Sequence, residues 1–515
     1  MERWIASVAG GPSQRLKFRV LLIEKIGRKD QCSMPTAGRS RLCGDAFLGT
    51  FVSEKAGFQG LEKWTGCFSK LGKFLFRRSH TVKKIVSALL LMTGATCAAE
   101  SIPGADKVLE HIRKAFPQTL KERKGDQGDL IGVPHPFTSP CAKDTFKELF
   151  YWDTYFMNVG LLRIGMQQQA QNNTDDLLFL ADKLGFIPNA NRRSMCNRSQ
   201  PPWLALMVRD IFAATGDKQW LRGAYAAMTK EHEFWMTKRI TPLGLNRHFN
   251  SATKKELLGF YNFLASERFR GLVVATPGEK VAFSSHSLSE AESGWDFNPR
   301  FDRRCEDFCP VDLNANLYLY ETILADISKV LENGAEAAWR EKAEQRKKLM
   351  QEYLWNEEVG CYTDYDFVNK KKGAVVSCAT LFPLQAGVAT PEQAAKVVAK
   401  MKAVLEYNHG LSTCEKRTWK FAYQWDYPNG WPPMQGIAIQ ALDRAGFKAD
   451  ARRIAEKYVR TVIRNYEKTG DLWEKYNVVT GTTEVVDEYK MPRMVGWTAG
   501  VFVFANDYLQ AAAQK

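Results

Sequence analysis

Long apolar runs are scarce in this chain. The longest, residues 85–95, covers about 11 positions, and a helix needs about 20 to cross a bilayer. A disulfide framework is missing as well. Of 11 cysteines, the seven beyond residue 99 (Cys141, Cys196, Cys305, Cys309, Cys361, Cys378, Cys414) are odd in number and widely spread. Cys305 and Cys309 have no His or Cys partners at zinc spacing, so no metal site is expected; a bridge between the two is compatible with an exported protein. There is no short exact repeat. Acidic residues are sparse at one end only. Residues 1–99 hold 17 Lys+Arg against 6 Asp+Glu, and the remainder 55 against 51. The net charge of +15 therefore belongs mostly to the N-terminal piece, and a nucleic-acid partner for the body has no support.

What is present starts with a signal. Lys83 and Lys84 precede the apolar run, and Thr96-Cys-Ala-Ala-Glu100 follows it. A positive start, a short apolar stretch and a small-residue exit are the pattern of a secretory signal peptide, here residues 82–99. The expected destination is the periplasm or the exterior. A signal peptide opens a protein, so translation is expected to begin at Val82, with residues 1–81 a non-native or disordered extension. Cys97 has no Leu three residues before it, so it is a poor lipid-attachment site and no stable membrane anchor is expected. The remaining residues, 100–515, form the predicted catalytic domain.

The whole chain has 45% hydrophobic and 25% charged residues, ordinary for a globular protein. Residues 106–116 carry Val108, Leu109, Ile112 and Phe116 on one face, with Pro117 after them. Helical segments follow, punctuated by Gly165, Gly185 and Gly216 as C-terminal caps. The reading places further helices at 218–239, 312–333, 335–355, 391–405, 433–445, 448–468 and 494–513, and leaves 240–310 as a long insertion without helical rhythm. About a dozen helices in antiparallel pairs, with few strands, fit either a solenoid or a closed ring. Long loops rich in Trp, Tyr, Asn, Asp and Arg recur at every second connection. That favours the ring, an all-α barrel of six hairpins with those loops gathered at one end.

Four loops share this composition: FYWDTY at 150–155, IPNANR with NRSQPP at 187–192 and 197–202, ESGWDF at 292–297, and QWDYPNGWPP at 424–433. Aromatic faces beside planar polar groups suit a sugar, whose C–H faces pack on rings while its hydroxyls need bidentate partners. Each motif alone is equally a helix N-cap with a staple, with Asp153, Asn197 or Asp426 as the cap. Four together point to a saccharide site. Asp296, between Trp295 and Phe297, has surroundings that disfavour its charge, as a general acid needs. Gly294 lets backbone approach closely. Glu474, between Trp473 and Lys475, is the second carboxylate; the neighbouring cation suits a general base. Glu488 is a third acid, able to orient water or a hydroxyl.

FYWDTYF, IPNANR, NRSQPP, ESGWDF, WEKYN and VGWTAGV stand in trehalase order, and QWDYPNGWPP resembles a trehalase signature. Residues of about 130–510 thus resemble glycoside hydrolase family 37. The resemblance implies an (α/α)6 barrel and metal-free, inverting hydrolysis of α,α-trehalose to glucose. It implies Asp296 as acid, Glu474 as base, and Trp152, Asp153, Asn189, Arg198, Ser199, Gln200, Gly294 and Glu488 as sugar-contacting positions. Trp425 and Asp426 come from the fourth loop. Two family features are absent. Lys143-Asp-Thr145 replaces Gly-Gly-Arg before Phe146, and Lys254-Lys-Glu256 stands where Arg-Pro-Glu is usual. Each removes a guanidinium that would grip hydroxyls, worth about 1.5–3 kcal/mol per contact. The alternatives this leaves are an exo-α-glycosidase of the same barrel acting on another glucoside, and a non-catalytic sugar-binding barrel. For inversion the two carboxyls are expected about 6.5–9.5 Å apart, with a water between.

Overall fold

Two kinds of helix alternate along the body, and burial separates them. In the computed structural model of the chain, one kind is buried on nearly every side: Tyr151–Arg163 is buried continuously from Tyr151 to Leu161. The other buries a single stripe: Glu336–Leu349 buries only Ala343 and Arg346. A helix apolar or small all round belongs inside, and one with a polar face belongs at the surface.

The structure describes residues 102–143, 145–268, 276–420, 422–486 and 489–513. The chain divides into Met1–Gly94 and Ala95–Lys515, and all described residues lie in the second unit. The expected extension and signal peptide lie outside the described residues. Helices run in the order α1 (Ala105–Ala115), α2 (Tyr151–Arg163), α3 (Gln167–Leu184), α4 (Leu204–Thr215), α5 (Lys218–Lys238), α6 (Lys254–Phe263), α7 (Pro277–Glu292), α8 (Val311–Leu331), α9 (Glu336–Leu349), α10 (Phe382–Ala386), α11 (Pro391–Val404), α12 (Pro432–Arg444), α13 (Lys448–Thr469) and α14 (Gly496–Ala513). The inner ring is α2, α4, α8, α10, α12 and α14, each packed on the next, and α14 against α2 closes it. Helices α3, α5, α9, α11 and α13 lie outside it. Helix α1, packed on α13 and α14, completes the sixth pair. This is an (α/α)6 barrel. Among the described residues no helix is long and apolar enough to cross a membrane.

Ring closure depends on glycine. A Cβ on Gly160 of α2 would meet the Gly500 Cα at 2.5 Å, and one on Gly500 would overlap the Phe156 carbonyl. Two backbones this close leave no room for any side chain. The described strands are two residues long and form small antiparallel pairs and one three-stranded sheet that staple loops. One joins Asn429–Gly430 to Tyr476–Asn477, bringing the loop of QWDYPNGWPP to that of WEKYN.

The insertion corrects the reading of 240–310. It contains α6 and α7, each opened by a full capping box, Thr253 with Glu256 and Thr276 with Glu279. The cap reading of the loop motifs also fails. Asp153 lies inside α2, whose N-cap is Phe150, and the helices after Asn197 and Asp426 begin at Leu204 and Pro432. All seven cysteines of the body are free, Cys305 and Cys309 included.

Candidate active site

Local pairing brings the predicted loops together. Phe150 bridges Ala190, so the start of α2 lies along the 187–192 loop. The Trp152 N–H donates to Gln200 Oε1 at 3.1 Å, which binds α2 to the 197–202 loop. Asn189 Nδ2 donates to the carbonyls of Ser199 and Ala291, at 3.2 and 3.5 Å. Ser199 Oγ donates to the Ile187 carbonyl at 2.6 Å. The Asn189 and Ser199 side chains therefore tie segments to one another.

Glu292, fully buried at the end of α7, is the knot among these segments. It accepts from Arg239 Nε and Nη2 (2.8 and 2.7 Å), from the Ser199 N–H (2.8 Å) and from the Phe249 N–H (3.1 Å); His248 Nδ1 lies 3.4 Å away. Burial alone would raise its pKa. Arg239 and His248 outweigh burial and hold the carboxyl at about 2. Sequence reading missed this knot because its arginine lies 53 residues away.

Past Glu292 the backbone turns. Gly294 has φ +75°, and a Cβ there would meet the Trp152 ring at 2.8 Å. What approaches Gly294 is thus an indole of the protein. Phe297 holds φ +60°, a conformation that costs a non-glycine residue about 1–3 kcal/mol. The Trp425 N–H holds the Phe297 carbonyl at 3.2 Å, and the Phe297 ring packs on Tyr423. Between these two positions stands Asp296, its side chain 37% exposed. Its surroundings raise its pKa, burial being the largest cause and the guanidiniums of Arg268 and Arg198 opposing it. Arg268 Nη2 lies 3.3 Å from Asp296 Oδ2, and Gln424 Nε2 donates to the Asp296 carbonyl at 3.3 Å. Neither partner was anticipated.

Glu474 is held by its immediate neighbours. Lys475 Nζ donates to Oε2 at 2.8 Å and the Tyr489 hydroxyl to Oε1 at 2.7 Å. The Trp497 indole fixes the Glu474 carbonyl at 3.0 Å, and Lys475 lies over the Trp431 ring. Glu488 lies outside the described residues.

Asp153 links the two acids. Burial pushes its carboxyl up to about 8, and the charges of both Glu474 and Asp296 add to the rise. A group that senses both lies within electrostatic range of each. Asp426 is pushed by burial to about 7, and its Oδ1 has no hydrogen-bond partner among the described residues. Arg198 Nε and Gln424 Oε1 are likewise buried and unpartnered among those residues.

The tryptophans differ from the open sugar platforms the motifs suggest. Trp152 and Trp425 are each 2% exposed. Trp425 stacks on Trp431 at 3.8 Å between centroids and on Trp295 at 5.6 Å; Trp152 and Trp497 close the block. They form an apolar floor from which the polar groups rise.

Comparison with known proteins identifies the family of the fold. The trehalase family model matches residues 98–509. Periplasmic trehalases of three Escherichia coli strains are each 31% identical over 427 residues, covering 78% of this chain and 74% of theirs. The structure of neutral trehalase from Saccharomyces cerevisiae is similar with a TM-score of 0.64 at 26% identity, over 79% of this chain and 80% of that one. A GH63 mannosylglycerate hydrolase from Thermus thermophilus, at TM-score 0.54 and 18% identity over 78% and 99%, shares the fold. Matched along most of its length, the chain belongs to the trehalase family and is a glycosidase.

Proposed function

We propose that this glycosidase hydrolyses α,α-trehalose to glucose with inversion, Asp296 acting as general acid and Glu474 as general base. One observation carries the assignment: the two carboxyls have surroundings that differ in kind, a guanidinium beside Asp296 and an ammonium and a phenol on Glu474. Burial raises the Asp296 pKa above the usual carboxylate value despite two nearby guanidiniums, the direction a general acid needs. Glu474 is gripped on both oxygens by an ammonium and a phenol, partners suited to a carboxylate. In the reaction Asp296 gives its proton to the glycosidic oxygen, and the C1–O bond breaks. A water held by Glu474 attacks C1 from the opposite face and loses its proton to that carboxylate. Inversion requires about 6.5–9.5 Å between the carboxyls.

Buried, unpartnered polar atoms cost about 1–3 kcal/mol each. Arg198 Nε, Gln424 Oε1 and Asp426 Oδ1 are such atoms, and sugar hydroxyls would satisfy them. Asp153, largely neutral at pH 7, donates a hydrogen bond to a hydroxyl. Export to the periplasm fits the signal-like run at 82–99 and the E. coli periplasmic trehalases.

The test is paired substitution. Asp296→Asn and Glu474→Gln should each lower turnover of trehalose by at least about 10²–10⁴-fold while leaving the thermal unfolding transition in place. Wild-type turnover in either variant rejects the assignment. The missing family arginines support a second reading, an exo-α-glycosidase for another glucoside. Glucose release across a panel of α-linked disaccharides separates the two.

A further inference from the structure

Helix α6 and the turn after it, Leu264–Arg268, dock over the acid's loop through an apolar cluster separate from the main core. Leu264 packs with Phe297 and Tyr423, and Phe260, Phe283 and Trp419 pack against them. From the end of this segment Arg268 reaches the acid. Its Nη2 lies 3.3 Å from Asp296 Oδ2 and its guanidinium 5.7 Å from the Phe297 ring centroid. The Arg268 side chain is 5% exposed, whereas that of Asp296 is 37% exposed. The arginine is therefore inside, and the carboxyl is the part open to a ligand. Lys254-Lys-Glu256 contains no guanidinium, and its Glu256 caps α6 through Thr253.

We propose that Arg268 is a positioning residue for hydrolysis: from the docked insertion it holds Oδ2 of Asp296, so that Oδ1 carries the proton toward the glycosidic oxygen. The proposal rests on Asp296 being the acid. A guanidinium only donates, so an oxygen it occupies cannot also bear a proton directed at it. The proton is confined to the other oxygen, and the carboxyl is fixed in rotation. The charged groups facing Asp296 are Arg268 from the insertion, Arg198 from the loop after α3 and Asp153 from α2. Removing Arg268 takes away one of the two cations that favour ionised Asp296. The acid then keeps its proton to higher pH, and the alkaline limb of kcat/KM moves upward.

The experiment compares full-length Arg268→Met, Arg268→Lys and Leu264→Ala, assayed on trehalose from about pH 5 to about pH 10. Arg268→Met is expected to lose about ten- to a hundred-fold in kcat with little change in KM, the size usual for loss of an orienting group. Its alkaline limb should lie above that of the wild type, and Arg268→Lys should restore the limb. Leu264→Ala, which loosens the docking without removing a charge, should shift the limb the same way by less. An unmoved limb in Arg268→Met, with or without a fall in kcat, overturns the proposal; if that variant does not fold, an unmoved limb in Leu264→Ala does so. Full turnover by Asp296→Asn would instead overturn the acid assignment beneath it.

Discussion

Asp153 is the residue where environment and chemistry conflict most. An unfolded chain ionises aspartate near pH 3.9, whereas burial and two neighbouring carboxyls hold this one at about 8. Between about pH 4 and about pH 8 the folded protein keeps a proton that the unfolded chain has released, so stability present at low pH is lost as pH rises. Asp153→Asn abolishes that ionisation. The variant should gain in Tm relative to wild type as pH rises from about 5 to about 8, and should bind trehalose more weakly. A Tm difference independent of pH would contradict the assignment. The sequence singled out Asp296 and Glu474, because each sits in a short motif with its aromatic neighbours. It did not show Arg268, Gln424, Arg239 or Tyr489, whose roles depend on contacts across the fold. It did not show that Trp152 and Trp425 lie packed among other rings, since composition cannot tell an exposed ring from a buried one.

At the level of elements, hydrophobic period and glycine punctuation located most helices. Gly185, Gly216, Gly387 and Gly470 are left-handed C-terminal caps. Helices α6 and α7 were lost because the insertion's Gly, Pro and Ser masked the rhythm, although Thr253…Glu256 and Thr276…Glu279 were legible capping boxes. Whether a helix is inner or outer was also partly readable: α2 lacks a polar face, whereas α13 has one. The closest contact of the ring was not readable, since Gly160 and Gly500 meet across the whole barrel sequence. Gly500→Ala should force α14 from α2 and cost about 1–3 kcal/mol or more, seen as a lowered Tm. An unchanged Tm would mean that the two helices do not approach at that point.

For the whole molecule, ring closure brings α14 against α2, elements at opposite ends of the body. Asp153 lies in inner helix α2, and the segments carrying Asp296, Asp426 and Glu474 precede α8, α12 and α14 in the chain. Pairing of Asn429–Gly430 with Tyr476–Asn477 joins two of those segments directly. Most of the excess positive charge belongs to residues 1–99 of the sequence. The most direct measurement is proton NMR of the first minutes of trehalose hydrolysis by the wild-type protein, before the sugar anomers equilibrate. Two carboxyls working from opposite faces invert one of two α-linked glucoses, so α- and β-glucose should appear in equal amounts. Release of α-glucose alone, or no release of glucose, would contradict the pairing of Asp296 with Glu474.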